Sequence, residues 1–364
     1  MAGRNVVHVG GGYAKLSPGG PNRESANCQA VYNLYVFRFS PFFVALLGFA
    51  QSLHGPIAAI EFYGSAPVDF THLRAAFPYH VGEPFEPKEI KLADTPVDFQ
   101  RLVANNQFSV APIFVPDLHG WILYTDIEPS ATSLLTWKPK PTGTAKLPPE
   151  IVALYEHAME RFANGGIEAG DETTGGYSLA KDPIMRADEL KLIDYARAHA
   201  PIVHRVLETS ASHRDRIAAA WTAGYAPKDK DQITALLSAV TDPDSTVRNN
   251  SIRVLAVLAS HDPNIARQIP PDPFIPMINS ITWTDRNKAM ALLAPITAGR
   301  DPKTLESLRR QAIEPLRQMS HWTYWGHASM ALVLLGRIAG IPEERLQTLL
   351  ASHNTSAILN EMDH

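Results

Sequence analysis

The chain reads as an α+β protein, a small β-α-α-β-β module followed by an all-α row of stacked helix pairs. Three observations predict this. Residues 56–129 hold short strands around two helical stretches and close on a hairpin. Residues 130–149 are proline-rich and lack a sustained period. Beyond them a helical pattern recurs, with Arg216, Arg248 and Arg286 spaced 32 and 38 residues apart. A repeat of that length is the signature of a helical solenoid.

Bulk properties narrow the function. A length of 364 residues with 45% apolar and 19% charged side chains allows several cores. The net charge of -4 argues against nucleic acid as a partner, since phosphate binding usually shows as a strongly basic domain. The single cysteine, Cys28, excludes both an intrachain disulfide framework and a thiolate zinc cluster. Twenty-nine prolines point to short elements joined by stiff connections.

Residues 1–55 are expected to be a disordered leader and a signal-like apolar segment. In RFSPFFVALLGFAQSL, Arg38 to Leu53, the apolar run Phe42–Ala50 is too short to cross about 30 Å of hydrocarbon, so no stable membrane span is expected. Arg38, the apolar centre and Ala50-Gln51-Ser52 supply the three regions of a secretory signal. The Gly- and Pro-rich residues before it place the expected translation start near Val36, an alternative bacterial start. The expected destination is then the periplasm or the exterior, the alternative being a cytoplasmic protein with an apolar helix here. NVVHVGGGYA does not complete the Gly-x-Gly-x-x-Gly spacing of a dinucleotide site, and Pro18 interrupts the helix that should follow.

In the module, IAAIEFYG (57–64) reads as a strand ended by glycine, and Val68–Pro78 carries Phe70, Leu73 and Phe77 at helical spacing. A second helix is expected around Phe99–Ala104, shortened or kinked by Thr95-Pro96. QFSVAPIFVP and GWILYTDIEP then meet across Asp117-Leu118-His119 as a hairpin. With Ile60, Phe62, Gly64, Leu73, Gly82, Pro84 and Phe85 in their places, this segment resembles a POTRA domain. The resemblance implies a domain that holds other polypeptides, often by adding a strand to an open sheet edge, without catalysis.

Residues 130–149 are expected to form an exposed linker. A helix follows, with Pro148-Pro149 at its start, Ile151, Leu154, Tyr155, Ala158, Met159 and Phe162 along one stripe, and glycines at its stop. In IEAGDETTGGYSLAKDP, Asp171 and Glu172 lack the alternating oxygen ligands of a calcium loop, which leaves a solvated loop.

Four segments share a second-helix pattern: HRDRIAAAWTAGYA, STVRNNSIRVLAVLA, TDRNKAMALLAPITA and WGHASMALVLLGRIAG, with His327 about 41 residues after Arg286. Each follows an apolar first helix, such as ITALLSAV or PFIPMINSI. TALLSAVTDPDSTVRNNSIRVLAVLA, with its Asp242-Pro243 turn followed by Val247-Arg248, resembles a HEAT repeat, and residues 150–364 are expected to form a HEAT-like solenoid. A lone helix pair cannot bury its apolar face, whereas stacked pairs share one core. The resemblance implies a structural, turn-bonding role for Arg248 and Arg286.

ITWTDRNKAM and MSHWTYWGHA bring Trp283, Asp285, Arg286, Asn287, Lys288, Trp322, Trp325 and His327 to corresponding places in successive repeats, and an exposed aromatic and polar binding patch is expected there. His321 and His327 are off one helical face, and no HExxH occurs, so neither a metal nor another cofactor is expected. The function these readings imply is a noncatalytic adaptor holding a protein or peptide. The alternative is a glycosylase- or lyase-type enzyme using Asp285 beside Trp283.

Overall fold

The computed structural model describes residues 55–64, 70–104, 106–129, 135–163 and 171–362. The signal-like segment Arg38–Leu53, Cys28 and the expected start near Val36 lie outside the described residues. No helix among the described residues is long and apolar enough to cross a membrane.

The N-terminal module comprises β1 (Gly55–Tyr63), α1 (Phe70–Ala76), β2 (Pro84–Phe85), α2 (Val97–Leu102), β3 (Asn106–Val115) and β4 (Gly120–Pro129). The strands form one sheet in the order β2-β1-β4-β3. β1 runs parallel to β4, and β3 pairs antiparallel with β4 from Asn106 opposite Pro129 to Val115 opposite Gly120. The hairpin turns through a 3-10 segment at Pro116–Leu118 and His119 in the left-handed region, φ 47°. Gly120 is required by packing: a Cβ there would lie 2.6 Å from the Pro56 carbonyl oxygen on the neighbouring strand. α2 is only six residues long and starts after Pro96, because the residue before a proline is driven to extended backbone and Pro96 has no N–H to continue a helix through it.

Both faces of this sheet are buried. On one face Ile57, Phe62, Val110, Trp121, Leu123 and Ile127 pack against Leu73, Phe77, Phe99 and Val103 of the module's own helices. On the other, Ala59, Tyr63, Ile113, Val115, Ile122 and Tyr124 join the core of the helical region. Strand alternation sorts WILYTDI residue by residue between the two. Each large apolar side chain so buried contributes about 1.5–3 kcal/mol.

The helical region runs α3 (Pro149–Ala163), a two-stranded hairpin β5 (Asp171–Glu172) and β6 (Leu179–Ala180), α4 (Pro183–Thr209), α5 (His213–Thr222), α6 (Lys230–Ala239), α7 (Ser245–His261), α8 (Pro263–Ala266), α9 (Trp283–Ile296), α10 (Pro302–Ser320), α11 (Trp325–Ile338), α12 (Glu343–Ala351) and α13 (Thr355–Met362). These are stacked helix pairs, and the chain is α+β with a helical solenoid. The starts are chemically specified. Asp182 accepts from the Ile184 and Met185 N–H groups, Asp244 from those of Thr246 and Val247, and Asp301 from that of Thr304. α4 kinks at His199 (φ -133°, ψ 28°), where Pro201 disrupts the helical ladder.

Three expectations need correction. PFIPMINSI is no regular first helix: it contains only a 3-10 turn at Pro276–Asn279, because Pro270, Pro271, Pro273 and Pro276 remove amide donors across the segment. Residues 135–148 are not a free linker but a strap along the solenoid. Lys138 N–H donates to the Thr241 carbonyl at 2.9 Å, Gly143 N–H to the Thr209 carbonyl at 2.8 Å, and Leu147 N–H to Asp215 at 3.0 Å. Asp171 and Glu172 are not simply solvated: they form β5 and pair with Arg253 and Arg186, respectively.

Candidate functional site

The repeat is written in side-chain chemistry. The fourth residue of α5, α7 and α9 is an arginine, and in each case its Nη1 donates to the carbonyl six residues earlier: Arg216 to Ser210, Arg248 to Asp242, Arg286 to Ser280. The rest of each guanidinium reaches a carboxylate of the next layer. Arg216 binds Asp242 through Nε and Nη2, both at 2.9 Å, and Arg248 binds Asp285 likewise at 2.9 and 2.8 Å. Planar two-bond pairing of this kind fixes orientation as well as spacing. Arg248 is also sandwiched by the strap, its guanidinium 3.7 Å above the Trp137 ring.

The third rung leaves the solenoid. Arg286 Nη2 donates to Asp126 of β4 at 2.7 Å, and the guanidinium lies 3.9 Å over the Tyr63 ring of β1. The sheet therefore joins the arginine ladder from outside the run of helices, and Asp126 takes the part played by Asp242 and Asp285. This rung is less complete, since among the described residues Arg286 Nε and Asp126 Oδ2 are both buried without partners. Burial raises the Asp126 carboxyl to about 6 despite the opposing pull of Arg286.

Around this rung the expected binding patch is spent on internal packing. Trp283, Asp285, Arg286, Asn287, Lys288, Trp322 and His327 are all buried, which corrects the expectation of an exposed surface. Tyr124 stacks on Trp283 with centroids 4.9 Å apart, meets Trp322 edge-on at 4.8 Å, and its hydroxyl bonds His327 Nδ1. His327 is held down to about 3 by burial and then by Lys288, so its ring is neutral. Tyr63 donates to the Ile278 carbonyl, Glu61 accepts from the Thr323 N–H at 2.6 Å, and Gln318 exchanges bonds with the Gly64 backbone. Trp325 alone of the set is partly exposed, stacked 4.0 Å from His353. Asp285 is no free carboxylate beside Trp283, because Arg248 and Ser280 Oγ occupy both its oxygens.

A second polar cluster lies under the β5–β6 hairpin. Arg253 of α7 pairs with Asp171 and lies 4.4 Å over the Trp221 ring. Buried Glu189 accepts from the Ala180 N–H at 2.7 Å, and burial raises it to about 7. Lys288 is 4% exposed, lowered to about 7 by burial and then by Arg253. A cavity of about 10 Å³ opens beside this cluster, lined by Tyr177, Ser178, Trp221, Tyr225, Arg253 and Val257. Sequence reasoning placed Lys288 in a binding set but missed Arg253 and Glu189. The available signal was a charged residue at each, within otherwise apolar helix faces. No group of residues among those described could hold a metal ion.

The remaining open feature is the outer edge of β3. Among the described residues nothing pairs with this ten-residue strand on the side away from β4. An unbroken antiparallel ladder puts Pro112, which has no N–H, on the outward phase, and with it the N–H and C=O groups of Phe108, Val110 and Phe114.

No protein-family model matches the chain, and no curated protein matches it. Among solved structures it is similar to an engineered protein solved as a structural-genomics target (19% identity, TM-score 0.36, covering 50% of this chain and 87% of that one). It is also similar to a designed armadillo repeat protein (16% identity, TM-score 0.35, covering 52% and 90%). Likeness at this level carries no argument about function. The solenoid reading stands on the helix pairs and the arginine rungs.

Proposed function

We propose that the chain is a noncatalytic, exported adaptor that takes an extended polypeptide segment by strand addition along the outer edge of β3. In this reading the module is POTRA-like and the helix pairs form a HEAT-like support that holds it rigidly. The supporting observation is the ten-residue edge with outward-facing backbone groups at Phe108, Val110 and Phe114. Unpaired edges of this length template pairing with another chain, main-chain bonds giving affinity and alternate side chains giving selectivity. Export rests on the sequence pattern Arg38–Ser52.

The test is selection from a displayed peptide library followed by amide exchange in the complex. Strand addition predicts new protection at Phe108, Val110 and Phe114, while the β4-facing amides of β3 are protected with or without peptide. Protection confined to the solenoid would contradict it. Export is checked by sequencing the N-terminus of the protein recovered from its native host.

A further inference from the structure

The three arginine rungs supply their carboxylates unequally. Asp242 accepts from Arg216 Nε and Nη2 and from the Asp244 N–H, and Asp285 accepts from Arg248 Nε and Nη2 and from Ser280 Oγ. Asp126, fully buried, accepts a single bond, from Arg286 Nη2 to Oδ1, and among the described residues its Oδ2 has no donor. A buried carboxylate keeps its charge only where donors and cations surround it, and this one is short of both.

The elements packed around Asp126 deepen the shortage. On β4 itself, Tyr124 and Glu128 share its face by strand alternation. On β1, Tyr63 is its register partner and Glu61 lies two residues earlier. Ser109, opposite on β3, is uncharged. Burial pushes both phenols up, so they stay neutral. Glu61 and Glu128 are buried acids, while Arg286 of α9 is the only cation paired with Asp126 among the described residues. Glu61 accepts the Thr323 N–H, which leaves the bare Oδ2 of Asp126 as the place for a proton. A proton there removes a buried charge, and Oδ1 still accepts from Arg286, so the rung stays closed as a hydrogen bond.

We propose that the Asp126–Arg286 contact is a proton-operated clamp: one proton taken up on Asp126 Oδ2 seats the sheet more firmly on the solenoid, and its loss loosens that seat. Burial, opposed by Arg286 and reinforced by Glu128, raises the Asp126 carboxyl from 3.8 to about 6. The folded chain therefore holds a proton that the unfolded chain releases. Its contribution is full below about pH 4 and is lost as pH rises through about 6. The clamp operates whether or not a segment pairs with β3.

The experiment reads the full chain in two ways. By carbon-13 NMR the Asp126 carboxyl is expected to titrate near pH 6, and Glu128→Gln, which removes a like charge, is expected to move that midpoint to lower pH. In urea unfolding from pH 4 to 8, the folding constant of the parent relative to Asp126→Asn is expected to fall about tenfold per pH unit between about 4 and 6, about a hundredfold in all. Amide exchange locates the effect: the protection that the parent gains over Asp126→Asn on going from pH 7 to pH 5 is expected to be larger in β1 and β4 than in α12 and α13. A gain spread evenly over the chain contradicts a clamp at this joint. Parallel unfolding curves, or an Asp126 carboxyl that titrates at its ordinary value in the parent, would overturn the proposal without reliance on any variant's folding.

Discussion

The arginine rungs inside the solenoid and the one that crosses to the sheet share a residue position but not a geometry. Arg216–Asp242 and Arg248–Asp285 are two-bond pairs within one run of helices. Arg286–Asp126 makes a single bond and, among the described residues, leaves one buried atom unpaired on each partner. The difference shows how a sheet is joined to a repeat array that itself continues into α10 and α11. The sheet presents a carboxylate to Arg286, and stacking of Tyr124 on Trp283 adds contact beside this single-bond ion pair.

The comparison is broken most severely by Arg248→Ala. It strands Asp285 as an uncompensated buried carboxylate, with an expected loss of about 3–5 kcal/mol in urea denaturation. Asp126→Asn should cost less, about 1–3 kcal/mol, because only one bond is weakened and the aromatic contacts remain. Lys288, buried on α9 two residues after Arg286, adds a pH dependence. Its folded value lies below its unfolded one, so the folded state binds fewer protons between about pH 7 and 10.5. Its destabilisation is therefore full below pH 7 and is relieved as pH rises through that window, by at most about 1.4 kcal/mol per unit. Subtracting the pH-stability curve of Lys288→Met should isolate this slope, and a flat difference curve would show that Lys288 is not desolvated. Tyr124→Phe, which removes only the hydroxyl bond to His327, should cost about 0.5–1.5 kcal/mol by the same denaturation assay.

Much of this architecture was legible in the residues, and the part that was not has a common cause. Helix starts and the hairpin follow local rules, so the helix that begins at Pro149 and the Asp117–His119 turn lie where the sequence puts them. The burial of Trp283, Arg286 and Trp322 depends on a partner some 160 residues away, the separation of Arg286 from Asp126, and no local period encodes that. One signal did exist. WILYTDI does not alternate apolar with polar, as a strand with one solvated face should, which means both faces are covered. An acidic residue in such a strand, Asp126, then requires a buried cation, and Arg286 is the one the repeat leaves over. The strap 135–148 was misjudged for a related reason: its prolines exclude regular structure but do not prevent Trp137 from covering Arg248.

The central claim is that the Arg286–Asp126 rung couples the sheet to the solenoid. A double-mutant cycle over Arg286→Ala, Asp126→Ala and the pair, read by equilibrium unfolding, tests it most directly. The account predicts a coupling of about 1–3 kcal/mol, and strictly additive single effects would contradict it.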